Sequence, residues 1–262
     1  MTLPDASGGP PRARARLVRE VLDPRVPALV HPEWADALPW VVQGTTTRGS
    51  ADAPFDLGLF SGGTPAEVAQ AAWERLMAAT GMRDARHARQ VHGADVRRHE
   101  ERRDGLQIVG DCDGHVTAEP GTLLAVSAAD CVPISIVDPV ARTVAVLHAG
   151  WRGVAAGMLE RGLEAVASPD RRGSLRVHLG PAICGSCYEV GPQVFEALGL
   201  APPERPRPLD LREVLAARAV EAGVTAALLT VSAHCTRCTD SGLFSHRGGD
   251  RGRQVGYVGI RV

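Results

Sequence analysis

The sequence predicts a single α/β domain built on a mixed β-sheet. Three observations carry this. Apolar residues make up 44% of the 262 positions, enough for a substantial core, and the length suits one large or two modest domains. Strand-like and helix-like stretches mix without the strict βαβ rhythm of a doubly wound parallel fold. No internal repeat and no clear linker appears after the N-terminus.

The elements follow in order. The opening "MTLPDASGGPPRARAR" has no apolar core, and its arginines follow a Pro/Gly run. It is read as a disordered tail over residues 1–20 rather than a targeting signal, with 21–262 as the domain. "PWVVQGTTTRGS" is a strand running into a polar loop. "TPAEVAQAAWERLMAATG" is a helix with Thr64 as cap, Pro65 in the first turn, Glu67 completing a capping box and Gly81 as the stop. "HARQVHGADVRRHE" is a strand interrupted at Gly93. "GTLLAVSAADCVPISIVDPVARTVAVLHAGWRG" reads as strand, loop, strand, Asp-Pro turn, strand. "VAAGMLERGLEAVASP" has helical apolar spacing and a proline stop. "SLRVHLGPAICGSCYEVG" is a strand followed by a Gly/Cys loop. "DLREVLAARAVEAG" is a helix with Asp210 as cap, Glu213 at the third position and Gly223 as the stop. "VTAALLTVSAHC" and "GRQVGYVGIRV" are further strands.

Composition excludes several functions. The formal charge is −1, from 29 basic and 30 acidic residues, so there is no broad attraction to nucleic acid or to an anionic membrane. The longest apolar run is about ten residues, too short for a bilayer core of about 30 Å. A cytoplasmic protein that is monomeric or homodimeric is expected. There is no lysine, which removes Schiff-base catalysis and a Walker A loop. Six cysteines in a chain of this length suit reduced thiols or metal ligands better than a secreted disulfide framework.

Three stretches share one pattern, an apolar strand followed by a metal-capable side chain and then small residues. They are "RQVHGADV" with His92, "SAADCVPISIVDP" with Cys131 and "AVLHAGWRG" with His148. Two imidazoles and a thiolate suit zinc, and three protein ligands leave a fourth position open, as in catalytic rather than structural zinc sites. No local motif forces the three together. Packing and hydrogen bonding at strand ends would explain the same residues equally well.

These stretches, together with "DGHVT", "LGPAICGSCYEVG" and "LFSHR", resemble the laccase-domain family. That family is also described as multicopper polyphenol oxidases, or as purine nucleoside phosphorylases with adenosine deaminase activity, and some members as peptidoglycan editing factors. The resemblance covers roughly residues 40 to 262. It implies a single α/β/α domain similar to cysteine-hydrolase toxins, with His92, Cys131 and His148 as metal ligands. The chain departs from the family pattern in its N-terminal third. "TTTRGS" lacks paired glycines, Asp56 stands where asparagine is usual, Gly62-Gly63 replaces a Gly-Asp pair, and Ala71-Ala72 replaces an Asn-Arg pair. These positions surround the expected substrate loop.

The activity so implied is phosphorolysis of purine nucleosides and hydrolytic deamination of adenosine, with a nucleoside and phosphate as small-molecule partners. Asp130 is the candidate proton-handling acid. Arg48 and Arg152 are candidate phosphate ligands. Gln90, Asp56, His246 and Arg247 are candidate substrate contacts. Copper would compete for a zinc site, being favoured by intrinsic affinity. Conventional multicopper chemistry also needs a histidine-rich cluster, and the nine histidines include no His-x-His pair. A copper-dependent polyphenol oxidase is one alternative, and two other readings remain. In one, Cys131 is a nucleophile and His148 its base in an amidase acting on peptidoglycan precursors. In the other, the chain is a non-catalytic, zinc-stabilised factor.

The Cys184/Cys187 and Cys235/Cys238 pairs are each Cys-x-x-Cys, and their separation is much longer than in a zinc ribbon. A second zinc, with His234 or Cys112 as further ligands, a redox disulfide and free buried thiols all fit the spacing.

Overall fold

The computed structural model describes residues 15–262. It contains two seven-stranded mixed sheets stacked face to face, with helices on the outer faces. One sheet runs β1 (Arg16–Val18), β15 (Leu229–Ser232), β12 (Arg176–Leu179), β10 (Val132–Asp138), β11 (Thr143–Ala149), β8 (Gly114–Thr117), β6 (Val96–His99). The other runs β2 (Val21–Leu22), β3 (Ala28–Val30), β4 (Val41–Thr46), β16 (Gln254–Ile260), β9 (Thr122–Ala128), β5 (Asp84–Arg89), β7 (Gly105–Asp111). A two-stranded ribbon pairs β13 (Glu189–Val190) with β14 (Arg207–Pro208). The α/β class is as read from the sequence. The strands divide between two sheets because several are apolar on both faces.

That division follows from the period-two alternation of side chains along a strand. On β11, Ala145, Leu147 and Ala149 face the helices, while Val144 and Val146 face the other sheet. On β9, Leu123 and Ala125 pack outward, and Leu124 and Val126 pack inward. On β16, Val255 and Tyr257 point out, and Val258 and Ile260 point in. A strand buried on both faces is a continuous apolar run, which periodicity alone does not assign to one sheet or two.

The helices cover the outer faces. Helix α2 (Ala66–Thr80) buries Ala69, Ala72, Trp73, Leu76 and Thr80, spaced three and four apart as a helical face requires. Helices α4 (Met158–Val166) and α6 (Leu211–Glu221) pack on the sheet containing β11. Shorter helices are α1 (Trp34–Ala37), α3 (Trp151–Ala155) and α5 (Pro192–Ala197). The Asp210 cap forms as expected, accepting the Arg212 amide at 2.9 Å. The Asp-Pro turn is also present, with Asp138 accepting the amides of Val140 and Ala141.

Three expectations are corrected. The tail was expected to reach residue 20, and its first fourteen residues lie outside the described residues. Arg16–Val18 nevertheless forms β1, parallel to β15, with Val18 buried. Three residues are too few to show periodicity. The capping box on α2 does not form. Pro65, extended at ψ 141°, is itself the N-cap, and the Thr64 hydroxyl is buried without a partner. The helix expected over "VAAGMLERGLEAVASP" is two helices, broken at Gly157, which is left-handed at φ 82°.

Gly162 on α4 sits directly against Leu147, and a Cβ there would overlap that fully buried side chain. Alanine gains about 1 kcal/mol of helix propensity. Overpacking a filled core costs about 1–3 kcal/mol. Gly162→Ala is therefore expected to lower the denaturation midpoint, measured by urea unfolding.

Candidate metal centre

Three chain segments meet where β11 ends. Cys131 lies in the tight connection between β9 and β10, after Asp130, whose φ of 87° is left-handed. His148 is the penultimate residue of β11 and pairs across the sheet with Pro133 on β10. His92 follows β5 in a loop and is also left-handed, at φ 58°. The metal-capable atoms of His92, Cys131 and His148 all lie within 4.8 Å of one another. The two imidazoles meet edge to face, with ring centroids 4.8 Å apart. His148 is buried, Cys131 half-buried and His92 exposed, so the cluster opens to solvent on the His92 side.

Behind the cluster sits Asp113, fully buried just before β8. Its Oδ1 accepts from His148 Nδ1 at 2.8 Å and from the His92 amide at 3.0 Å. Its Oδ2 accepts from the amides of Val91 at 3.1 Å and Gly93 at 2.8 Å. The same carboxylate thus fixes the imidazole of His148 and the loop that carries His92. With Nδ1 donating to a carboxylate, His148 presents Nε2 to the cluster, the usual arrangement behind a metal-ligating histidine.

The electrostatics agree with this geometry. Burial pushes the Cys131 thiol up, but the His148 charge and hydrogen bonds from His148 and His92 outweigh it and bring the thiol down to about 6. Burial pulls His148 down, and the Cys131 thiolate and Asp113 carboxylate more than reverse that, raising it to about 9. Without metal the two form a thiolate–imidazolium pair. A bound metal replaces the imidazolium proton. Two imidazole nitrogens, one thiolate and an open fourth side fit a tetrahedral divalent ion.

Gly150, directly after β11, makes the close approach feasible. A Cβ on it would lie 2.9 Å from Cys131 Sγ and 3.1 Å from His92 Cδ2. Gly150→Ala should push these ligands apart and weaken metal binding about tenfold, equivalent to about 1.4 kcal/mol, as read by chelator competition.

The other expected site residues are placed as follows. Asp130 is a brace: its Oδ1 accepts the Thr236 hydroxyl at 2.6 Å and its Oδ2 the Arg247 amide at 2.6 Å. Arg247 also lays its guanidinium over the Tyr188 ring, 5.2 Å from its centroid. Burial pushes the Tyr188 phenol up, with the Cys131 and Asp130 charges adding and Arg247 and Arg152 opposing. Arg247 thus joins Tyr188 to Asp130, the residue next to Cys131. Arg152 is exposed and stacks on Trp151 at 4.3 Å. His246 is exposed on the same loop as Arg247.

Three candidates are engaged elsewhere. Gln90 spends its amide on the Ser127 backbone, accepting from N at 2.6 Å and donating to O at 2.8 Å. Asp56 accepts the amides of Gly58 and Arg253, an Asx turn that orders its own loop. Arg48 donates to Leu243 O and to Asp250 and lies over Phe244. Sequence reading missed Asp113 and Tyr188. Asp113 had a signal, a charge heading the buried run "DGHVT", and Tyr188 had only its place in "SCYEVG".

Cys184, Cys187, Cys235 and Cys238 form a second cluster, with their sulfurs within 4.8 Å of one another. His234 is instead directed to Glu20, and Cys112 toward His115, so neither joins it.

Comparison with known proteins agrees with this architecture. Residues 42–261 match the family model described as multi-copper polyphenol oxidoreductase laccase. Purine nucleoside phosphorylase YlmD of Geobacillus stearothermophilus is 39% identical over 66% of this chain and 70% of its own length. Adenosine deaminase RL5, from an unknown prokaryotic organism, is 37% identical over 61% of this chain and 68% of its own. The crystal structure of the G. stearothermophilus YlmD superposes with a TM-score of 0.80 at 29% identity, covering 94% of this chain and all (100%) of the other. Motif order, metal-capable cluster, fold and these likenesses agree, and the chain belongs to the multi-copper polyphenol oxidoreductase laccase family.

Proposed function

We propose that the chain is a zinc-dependent enzyme acting on purine nucleosides, by phosphorolysis and by hydrolytic deamination of adenosine. The observation that carries this is the His92–Cys131–His148 cluster, closed behind by Asp113 and open on its His92 side. Relatives named as purine nucleoside phosphorylase and adenosine deaminase support it. Zinc held by those three residues would supply Lewis-acid activation, without redox chemistry.

The protein residues would do the rest. Asp113 holds the proton on His148 Nδ1 and keeps Nε2 free to ligate. Arg152, two residues after Gly150, and Arg247, stacked on Tyr188, would bind phosphate through charge-assisted hydrogen bonds. Asp130 is proposed to handle protons. Its present partners, Thr236 and Arg247, hold it in place beside Cys131 and would have to yield for that role. Arg48, Asp56, Gln90 and His246 are proposed to shape the substrate loop and its C-terminal neighbour.

One observation favours a second reading. The Cys131–His148 pair has the thiolate–imidazolium character of a cysteine nucleophile and its base, suited to amide hydrolysis. Metal content separates the two, because a stoichiometric ion occupies the thiolate. Copper in the same site is the family name's suggestion. Among the described residues no histidine-rich cluster accompanies the site.

The test is elemental analysis of untagged protein, then incubation with adenosine with and without phosphate. Adenine and ribose 1-phosphate formed only with phosphate mark phosphorolysis. Inosine and ammonia formed without it mark deamination. If zinc-loaded protein forms neither, the reading fails. Arg48→Ala is expected to raise KM about tenfold with kcat little changed, and unchanged kinetics would remove Arg48 from the substrate loop.

A further inference from the structure

We propose that Cys184, Cys187, Cys235 and Cys238 bind a second, structural zinc ion that clamps together the two loops beside the His92–Cys131–His148 centre. The four side chains come from separate stretches, "CGSC" after β12 and "CTRC" after β15. A bridge between Ala182 and Cys235 aligns the two stretches. All four sulfurs lie within 4.8 Å of one another, and Cys184 Sγ is 3.7 Å from Cys238 Sγ. A zinc–sulfur bond of about 2.3 Å puts tetrahedral sulfurs about 3.8 Å apart. A disulfide would bring two of them to about 2.05 Å, and all six cysteines are free.

The backbone around the sulfurs is shaped for thiolates. The Cys184 amide donates to Cys235 Sγ at 3.3 Å and the Arg237 amide to the same sulfur at 3.4 Å. Such N–H···S contacts are the second shell that steadies thiolate ligands. Gly185–Cys187 is a single 3-10 turn, which brings the first pair onto one side. Asp210 accepts the Gly185 amide at 3.3 Å and also caps α6, tying this knuckle to the helix. Thr239 Oγ1 donates to Cys235 O and accepts from Cys235 N, closing the second knuckle. Four thiolates around a divalent ion carry a net charge of about −2. Arg237, whose guanidinium donates to Cys187 O, adjoins the knuckles and supplies part of the opposite charge, whereas the nearby Arg212 is already paired with Asp210. Four thiolates with no open position make a closed, structural site, and so soft a set selects zinc over magnesium or calcium.

The location gives the ion a function. Cys187 directly precedes Tyr188, whose ring lies under the guanidinium of Arg247, and the Arg247 amide donates to Asp130 beside Cys131. Cys235 directly precedes Thr236, whose hydroxyl holds Asp130 next to Cys131. One ion would therefore fix two walls of the site without touching its chemistry.

Elemental analysis of the full chain tests this. Wild-type protein is expected to carry two zinc ions per chain. Cys131→Ala is expected to keep one, and Cys131→Ala combined with Cys184→Ser and Cys238→Ser to keep none. Cys184→Ser with Cys238→Ser alone should lose one ion and lower the melting temperature. Zinc content unchanged by the two serine substitutions overturns the proposal. So does a metal-free Cys131→Ala protein with alkylatable cysteines. Zinc unchanged by Cys131→Ala but lost on the serine substitutions supports this site and overturns the catalytic one. If the serine variants do not fold, cobalt-loaded Cys131→Ala protein serves instead. A near-ultraviolet sulfur-to-cobalt band of four-thiolate strength, with tetrahedral visible bands, is the expected result, and its absence overturns the assignment.

Discussion

Cys131→Ala and His148→Ala each remove the metal from the His/Cys centre and reduce adenosine turnover to background, while the protein remains folded. Among the described residues three side chains converge there, so loss of one leaves two imidazoles, or one imidazole and a thiolate. Neither pair completes a tetrahedral site. The two variants separate in stability. Cys131 is half-buried, and alanine in its place leaves no buried charge without a partner. His148 is buried and donates to the fully buried Asp113, so its removal costs a charge-assisted hydrogen bond of about 1.5–3 kcal/mol. In a domain of this size each kcal/mol moves the melting temperature by about 2–4 °C. Both variants also lose the stabilisation that bound metal gives the folded state, so Cys131→Ala should melt near metal-free wild type, and His148→Ala several degrees lower. Full metal and full turnover in both variants would sink the site assignment.

How much of this was legible depended on where the information was local. His92, Cys131 and His148 each stood at the end of an apolar run, and strand ends are where the fold gathers its loops. The Asp210 cap and Gly81 stop were legible because capping is decided within one turn. The separation into two sheets was not. Val144 and Leu147 are equally apolar, and only tertiary pairing decides which faces a helix and which faces a sheet. Asp130, Gln90 and Asp56 have the polar chemistry of site residues, and each is engaged by a backbone group far along the chain, from Arg247, Ser127 and Arg253 respectively. Residue type alone does not distinguish a group that binds substrate from one that binds its own loop. The paired Cys-x-x-Cys motifs were visible, but the intervening chain hid the fact that α5, α6 and β15 fold between them and return the second pair to the first.

Asp113→Asn is the sharper test of how the centre is held, because it preserves shape and turns one acceptor into a donor. The carboxylate accepts from four groups, the amides of Val91, His92 and Gly93 and Nδ1 of His148. An asparagine has one oxygen and one NH2 to face them. If the NH2 faces His148, two donors oppose each other, and the imidazole relieves this by moving its proton to Nε2, the atom that should ligate. If the NH2 faces Val91 and Gly93 instead, the loop holding His92 in its left-handed conformation loses its anchor. Both orientations weaken the site, by about 10- to 100-fold in metal affinity. They also leave a buried donor unpaired, at a cost of about 1–3 kcal/mol. Asp113→Ala removes every acceptor and should be less stable still. Chelator competition on Asp113→Asn, with a melting curve beside it, separates the two effects. A few-degree drop in melting temperature with metal affinity within threefold of wild type would mean that Asp113 only supports the fold. Weakened metal binding in a protein that still melts cooperatively would mean that this carboxylate sets the tautomer of His148 and the position of His92 together.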